Sequence, residues 1–151
     1  MNEVAITCAG IREPAWLNRV ELFCNRIMEE MGIDGWEVSL LICSNTIIRE
    51  LNKRYRGQDE PTDILSFAQR DCPDDVSPSD HPIFTAGDIV ISIESLKQNA
   101  WEYKQMEAVE LKRLLIHGLL HLKGMDHSGQ DNAMIDLQEK ILMKFKEEKI
   151  F

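Results

Sequence analysis

Residues 36–57 read WEVSLLICSNTIIRELNKRYRG, and the change of period inside this stretch decides the fold class. Trp36 to Cys43 is β-branched and apolar, the composition of a strand. Ser44 then offers a side-chain oxygen to the first amides of a helix. Ile47, Ile48, Leu51 and Tyr55 follow at helical spacing on one face, and Gly57 ends the element. Strand hands over to helix within one residue, so the chain is mixed.

The mixture continues outward in both directions. Upstream, Glu3 to Thr7 reads as a short strand. Pro14 opens a helix where its missing N–H costs nothing, with Leu17, Val20, Leu22, Phe23, Ile27, Met28 and Met31 at helical spacing and Gly32 as its end. Downstream, Ile64 to Ala68 is a third strand. Arg70 to His81 holds two Pro, two Ser and four Asp, a loop composition. Gly87 to Ile93 is a fourth strand. Glu94 to Tyr103 begins a helical region. Glu107 to Lys123 is the longest apolar helix and stops at Gly124. Asn132 to Glu148 is a last amphipathic helix. No repeat, low-complexity tract or linker interrupts the series, which predicts one domain over 1–151 with a small mixed α/β or α+β layer fold. Sheet order is not legible at this level.

Composition agrees. A chain of 151 residues, 44% hydrophobic and 28% charged, is an ordinary globular protein and not a disordered or collagen-like one. At this length folding buries about 68–70% of the unfolded surface, enough for a core without disulfides. No apolar run approaches the ~18 residues of a membrane span. The opening MNEVAITCAG lacks a basic region followed by an apolar stretch, so no secretory signal is expected. Cys8, Cys24, Cys43 and Cys72 form no CxxC pair, which excludes a cysteine zinc ribbon. Cys24 and Cys43 sit in apolar patterns and read as buried thiols, so a reducing, cytoplasmic compartment is expected. The formal charge of −9 argues against nucleic-acid binding as a whole-chain property. The charge is uneven, however. Arg49 to Arg56 carries net +3, and Asp71 to Asp80 carries four negatives and no positive.

Three of the four histidines fall within the eleven residues HGLLHLKGMDH, as His117, His121 and His127. The first two are four apart on a predicted helix, which sets both imidazoles on one face about 5–6 Å apart at Cβ. Gly124 can take the left-handed conformation that ends the helix and let His127 return to the same point. Three neutral nitrogens with an open fourth position is the layout of a catalytic metal site. A metal there lowers the pKa of bound water to ~7 and polarises a substrate oxygen. Three imidazoles suit zinc, but also nickel, copper or iron. His81, in the acidic loop, carries no such pattern.

The spacing matches that of zinc proteases of the metzincin type, which place a glutamate directly after the first histidine as general base. Here that position is Gly118. Without the carboxylate, peptide hydrolysis by that route is disfavoured, and an anionic substrate such as a phosphodiester escapes a repulsion of about 1–4 kcal/mol. Close helix packing is the competing explanation of Gly118.

HGLLHLKGMDH resembles the signature of the YbeY endoribonucleases, bacterial rRNA maturation factors. LNKRYRGQDEPTDILSF, residues 51–67, and GDIVIS, residues 87–92, resemble two further stretches of that family, in the same order and at similar spacing. The resemblance runs from about residue 36 to 140. It implies a single compact α+β domain with a small mixed four-stranded sheet packed against about five helices. It implies zinc, one per chain, held by His117, His121 and His127. It also implies metal-dependent cleavage of single-stranded RNA, with a role in maturing the 16S rRNA 3′ end on the small ribosomal subunit and in ribosome quality control. Arg56 matches the family's functional arginine. A guanidinium suits that role, because it grips two phosphate oxygens at once and stays charged; the plain alternative is a solvated arginine at a helix end.

Around this core stand weaker candidates. Asp63 could bond a metal-binding histidine, or with Thr62 simply turn the chain after Pro61; Ser66 follows in the same stretch. Asp126 is a candidate proton shuttle, and Lys53 and Arg54 are candidates to track an RNA backbone. The leading expectation is a zinc endoribonuclease. Its rivals are a metalloprotease, which the ligand spacing favours and Gly118 opposes, and a non-enzymatic ribosome-assembly module. The net negative charge suits docking of that module to a basic ribosomal protein.

Overall fold

A computed structural model describes residues 1–69, 84–125 and 132–151 of the chain. The expected loop from Arg70 to His81, Cys72, Asp126 and His127 therefore lie outside the described residues. In order the elements are β1 (Glu3–Ala9), α1 (Leu17–Glu30), β2 (Trp36–Cys43), α2 (Asn45–Arg56), β3 (Ile64–Ala68), β4 (Phe84–Ser92), α3 (Ile93–Glu102), α4 (Glu107–Lys123) and α5 (Ala133–Lys144). The strands form one sheet in the order β1-β2-β4-β3. β1 and β4 both run parallel to β2, whereas β3 is antiparallel to β4. This is the mixed four-stranded α+β fold with five helices that the sequence leads one to expect.

Different helices pack on the two faces of the sheet. Alternation along each strand lines up Ile6, Leu40, Ile89 and Ser66 across the four strands, and Cys8, Ile42, Ile91 and Ile64 in the next row. This face packs with Val20, Phe23 and Ile27 of α1 and Leu111, Leu115, Ile116 and Leu119 of α4. The opposite face presents Cys43, Leu65 and Val90, which pack with Ile48 of α2. α4 is buried almost all round, as a core helix must be if it is apolar on every side. Gly118 of α4 lies close against the sheet. A Cβ there would lie 2.9 Å from Ile89 Cδ1 and 3.2 Å from Ile64 Cδ1. Gly118 thus packs α4 against the sheet, as the packing explanation of this residue requires.

Most local signals hold, and the departures have tertiary causes. Ser44 accepts from the Ile47 amide at 3.4 Å, and Gly57 and Gly124 end α2 and α4 in the left-handed region. α1 starts at Leu17 rather than Pro14, because the Trp16 carbonyl is the one that accepts from Arg19 and Val20. β4 does not extend to Ile93: the Ser92 hydroxyl accepts from the Ser95 amide and turns strand directly into α3. α5 stops at Lys144, short of Glu148. The nearly buried Lys112 of α4 donates to the carbonyls of Phe145 and Lys146 at 3.1 and 3.0 Å, ending the helix from outside. Cys24 and Cys43 are buried as expected. Burial pushes the Cys24 thiol up to about 12, with Glu21 adding to it, and the Cys43 thiol up to about 11. No helix among the described residues is long and apolar enough to cross a membrane.

Candidate active site

The exit of α2 and one face of α4 meet across β3, which is the edge strand of the sheet among the described residues. A cleft of about 660 Å³ opens there, lined by Asn52, Arg56 and Gln58 from α2 and its end, Asp63 to Ser66 from β3, and His117 and His121 from α4. Arg56 and His117 are 61 positions apart in the chain and belong to helices on opposite faces of the sheet. The edge strand lets both reach one opening.

Arg56 is held from below. Its guanidinium Nη2 donates to the Ser66 carbonyl at 2.8 Å, and its Cζ lies 5.1 Å from the centre of the Phe67 ring. The strand explains why that carbonyl is available. The Asp63 carbonyl accepts from the Ser92 amide, so residue 63 bonds to β4. By the alternation of an antiparallel ladder, Ser66 turns its backbone groups to the open edge. Asn52, buried beneath, donates to the Glu60 carbonyl at 2.9 Å and fixes the connection from α2 to β3.

On the other side of the cleft the two histidine rings stand 4.7 Å apart at 72°. His117 Nδ1 lies 2.7 Å from Oε1 of Gln138, a buried residue of α5. An amide oxygen accepts, so the contact suits the tautomer that carries its proton on Nδ1 and leaves the Nε2 lone pair for a metal. This is the arrangement that orients a metal-binding imidazole. The sequence offered Asp63 for that role, beside a plain turn with Thr62 after Pro61. Asp63 lines the cleft, but its Oδ2 accepts from Asn99 at 3.0 Å and its Oδ1 from Thr62 at 3.4 Å, and the bond at His117 Nδ1 comes from Gln138. The signal for Gln138 was present in the sequence: it is an uncharged polar residue on the stripe of α5 that carries Met134, Ile141 and Leu142, all buried. Ser66 is placed in the same region, with a buried Oγ that has no hydrogen-bond partner among the described residues.

Two of the three expected metal ligands are therefore together on one face of α4, and the third, His127, lies outside the described residues. Among the described residues no group of three or more His, Cys, Asp or Glu could hold a metal. The donor chemistry of the two imidazoles, one of them with its tautomer held, nevertheless fits an ion of the zinc type. Lys53 and Arg54 do not line the cleft. Lys53 is 4.0 Å from Asp59, and Arg54 Cζ stands 5.9 Å from the Tyr55 ring centre.

The sequence profile of the family described as Endoribonuclease YbeY matches residues 5–146. The match reaches β1 and α1, which carry none of the motifs that suggested the resemblance. A Treponema denticola protein named Endoribonuclease YbeY is 44% identical over 135 residues, covering 88% of this chain and 86% of that protein. A Treponema pallidum protein of the same name is 42% identical over 148 residues, covering 94% of this chain and 89% of its own length. The solution structure of a Thermotoga maritima protein aligns with a TM-score of 0.64 at 28% identity, over 97% of this chain and 91% of that one.

Proposed function

The chain belongs to the Endoribonuclease YbeY family, and from that premise we propose that it is a metal-dependent endoribonuclease cleaving phosphodiester bonds of single-stranded RNA. The observation that carries this reading is the meeting of Arg56 with His117 and His121 in one cleft. A cation fit for phosphate and a pair of nitrogen ligands are the two halves of a phosphodiesterase site.

Zinc is the metal we assign, with His117, His121 and His127 as ligands. When bound it supplies Lewis-acid stabilisation of charge on the phosphate and activation of a nucleophilic oxygen. The protein's own groups do the rest. Gln138 orients His117. Arg56 carries five N–H donors, so its bond to the Ser66 carbonyl leaves others for phosphate oxygens, where a fixed guanidinium offsets developing charge. Gly118 has no room for the glutamate of a protease, because the sheet occupies that space.

The finer role we assign is maturation of the 16S rRNA 3′ end and ribosome quality control, in the cytoplasm, with the small ribosomal subunit as partner. Its support is the motif resemblance together with the buried free thiols.

The test combines elemental analysis with cleavage of a single-stranded 16S 3′-precursor fragment, with and without chelator. About one metal per chain and chelator-sensitive cleavage are expected. Cleavage by fully metal-stripped protein overturns the metal's role. A folded, metal-loaded protein that binds ribosomal subunits and cleaves no RNA overturns the enzyme reading in favour of an assembly module. A 2′,3′-cyclic phosphate product identifies the RNA's own 2′-hydroxyl as nucleophile, and a simple monophosphate identifies water.

A further inference from the structure

α2 covers only part of its face of the sheet. Beside it lies a groove of about 460 Å³ whose walls and floor include Leu41, Leu51, Tyr55, Phe67, Asp88 and Val90. The volume is within the ~300–1,000 Å³ range of pockets that hold small molecules. The groove shares α2 and β3 with the catalytic cleft and is joined to it at one ring. Phe67 lies under the Arg56 guanidinium on one side, at 5.1 Å, and meets Tyr55 edge-on at 5.4 Å on the other. Tyr55 is 59% exposed. It shares a helix face with Ile47, Ile48 and Leu51, yet stands largely in solvent at the groove.

Charge is partitioned between the two openings. The last turn of α2 carries Lys53, Arg54 and Arg56, whereas Asp88 is the one charged side chain lining the groove among the described residues. A carboxylate on an apolar, aromatic floor repels phosphate. It accepts from the amino or imino edge of a base. The arginines beside it suit the backbone.

We propose that this groove is a nucleobase subsite of the RNA-binding surface. Tyr55 and Phe67 provide the stacking platform for one base of a single strand whose adjoining phosphate is held by Arg56. The proposal rests on the endoribonuclease reading above and extends it to which residues read the strand. Aromatic stacking tolerates any base, and the Asp88 acceptor favours a base that presents an amino group.

The experiment measures binding of a fluorescent 12-nucleotide single-stranded RNA to the metal-stripped full chain, in parallel with cleavage by the metal-loaded protein. Tyr55→Ala is expected to weaken binding about 5- to 150-fold, the worth of one base–aromatic stack. Tyr55→Phe is expected to bind as wild type, and Tyr55→Leu to bind as Tyr55→Ala, which separates stacking from simple apolar cover. The salt dependence of Tyr55→Ala should match wild type, while Arg56→Ala should reduce the slope by about 0.7, as for one lost phosphate contact on a single strand. In a series with one abasic nucleotide moved along the RNA, the Tyr55→Ala effect should vanish at a single position. Wild-type binding by folded Tyr55→Ala, or equal binding by Tyr55→Leu and Tyr55→Phe, overturns the subsite and leaves the groove to a protein partner. Failure of the wild type itself to bind or cleave any single-stranded RNA is the separate outcome that removes the endoribonuclease reading and the subsite with it.

Discussion

Gln138 Oε1 lies 2.7 Å from His117 Nδ1, across the packed interface between α5 and α4. A residue 21 positions further along the chain, on another helix, thus meets the imidazole at Nδ1. A side-chain amide can do this without adding charge to the site. A carboxylate at the same place would make the ring more basic as well as orienting it.

Replacing Gln138 by Leu should therefore weaken zinc binding about 10- to 100-fold with the fold intact, because an apolar side chain of similar size fills the same buried space. Nitrogen NMR of the metal-free protein provides the decisive reading. His117 should be a single Nδ1–H tautomer in the wild type and a mixture in Gln138→Leu, and Gln138→Glu should restore the single tautomer. Equal zinc affinity and an unchanged tautomer in Gln138→Leu would make the contact incidental.

Arg56 separates binding a metal from using it. It is exposed and lies on a different helix from the histidines, so Arg56→Ala should keep metal content and melting temperature near wild type. Loss of a preorganised donor at the reacting phosphate is worth about 2.7–4 kcal/mol, or roughly two to three orders of magnitude in rate. Arg56→Lys should recover part of it, since an ammonium lacks the two-pronged contact. Single-turnover cleavage by metal-loaded proteins checks this; wild-type rates in Arg56→Ala would remove the residue from the site.

Gly118 sets two effects against each other. Gly118→Ala gains about 0.8–1 kcal/mol of helix propensity, but its Cβ would sit 2.9 Å from Ile89 Cδ1, and overpacking costs about 1–3 kcal/mol. A net destabilisation is expected. Ile89→Val removes the colliding methyl, so it should cost less in Gly118→Ala than the ~0.5–1.5 kcal/mol it costs in the wild type. Urea unfolding of the four proteins of this cycle measures the coupling, and strict additivity would show that the helix shifts freely. Gly118→Glu should lose stability sharply and acquire no peptidase activity.

Glu110, 5% exposed in the first turn of α4, carries a pH dependence of known sign. Burial raises its carboxyl above the ordinary 4.5 despite the Arg113 guanidinium 3.0 Å away, and Asp63 and Glu139 push the same way. The native state thus keeps a proton that the unfolded chain loses first. The resulting stability is fully present below about pH 4.5 and is lost as pH rises through the folded pKa. Relative to Glu110→Gln, wild-type stability should fall in urea unfolding as pH rises above about 4.5 and through the raised folded pKa. A difference that stays constant or grows with pH would refute the assignment.

The sequence by itself determined the elements and half of the site. Period and caps set the strand to helix handover at Ser44, the full extent of α4 and its stop at Gly124, because these depend on groups a few residues apart. The pairing of His117 with His121 was equally local, a consequence of helical pitch. Tertiary structure alone decided the rest. The order β1-β2-β4-β3 follows from which faces can be buried together, a property of all the elements at once. Gly118 looked like a missing catalytic base until the sheet was seen to fill its side of the helix. α5 ends early because Lys112, from another helix, takes its carbonyls. Gln138 gained its role, and Tyr55 its exposure, for the same reason. A helical pattern tells how residues share a face, but the neighbour that covers that face, or leaves it open, comes from elsewhere in the chain.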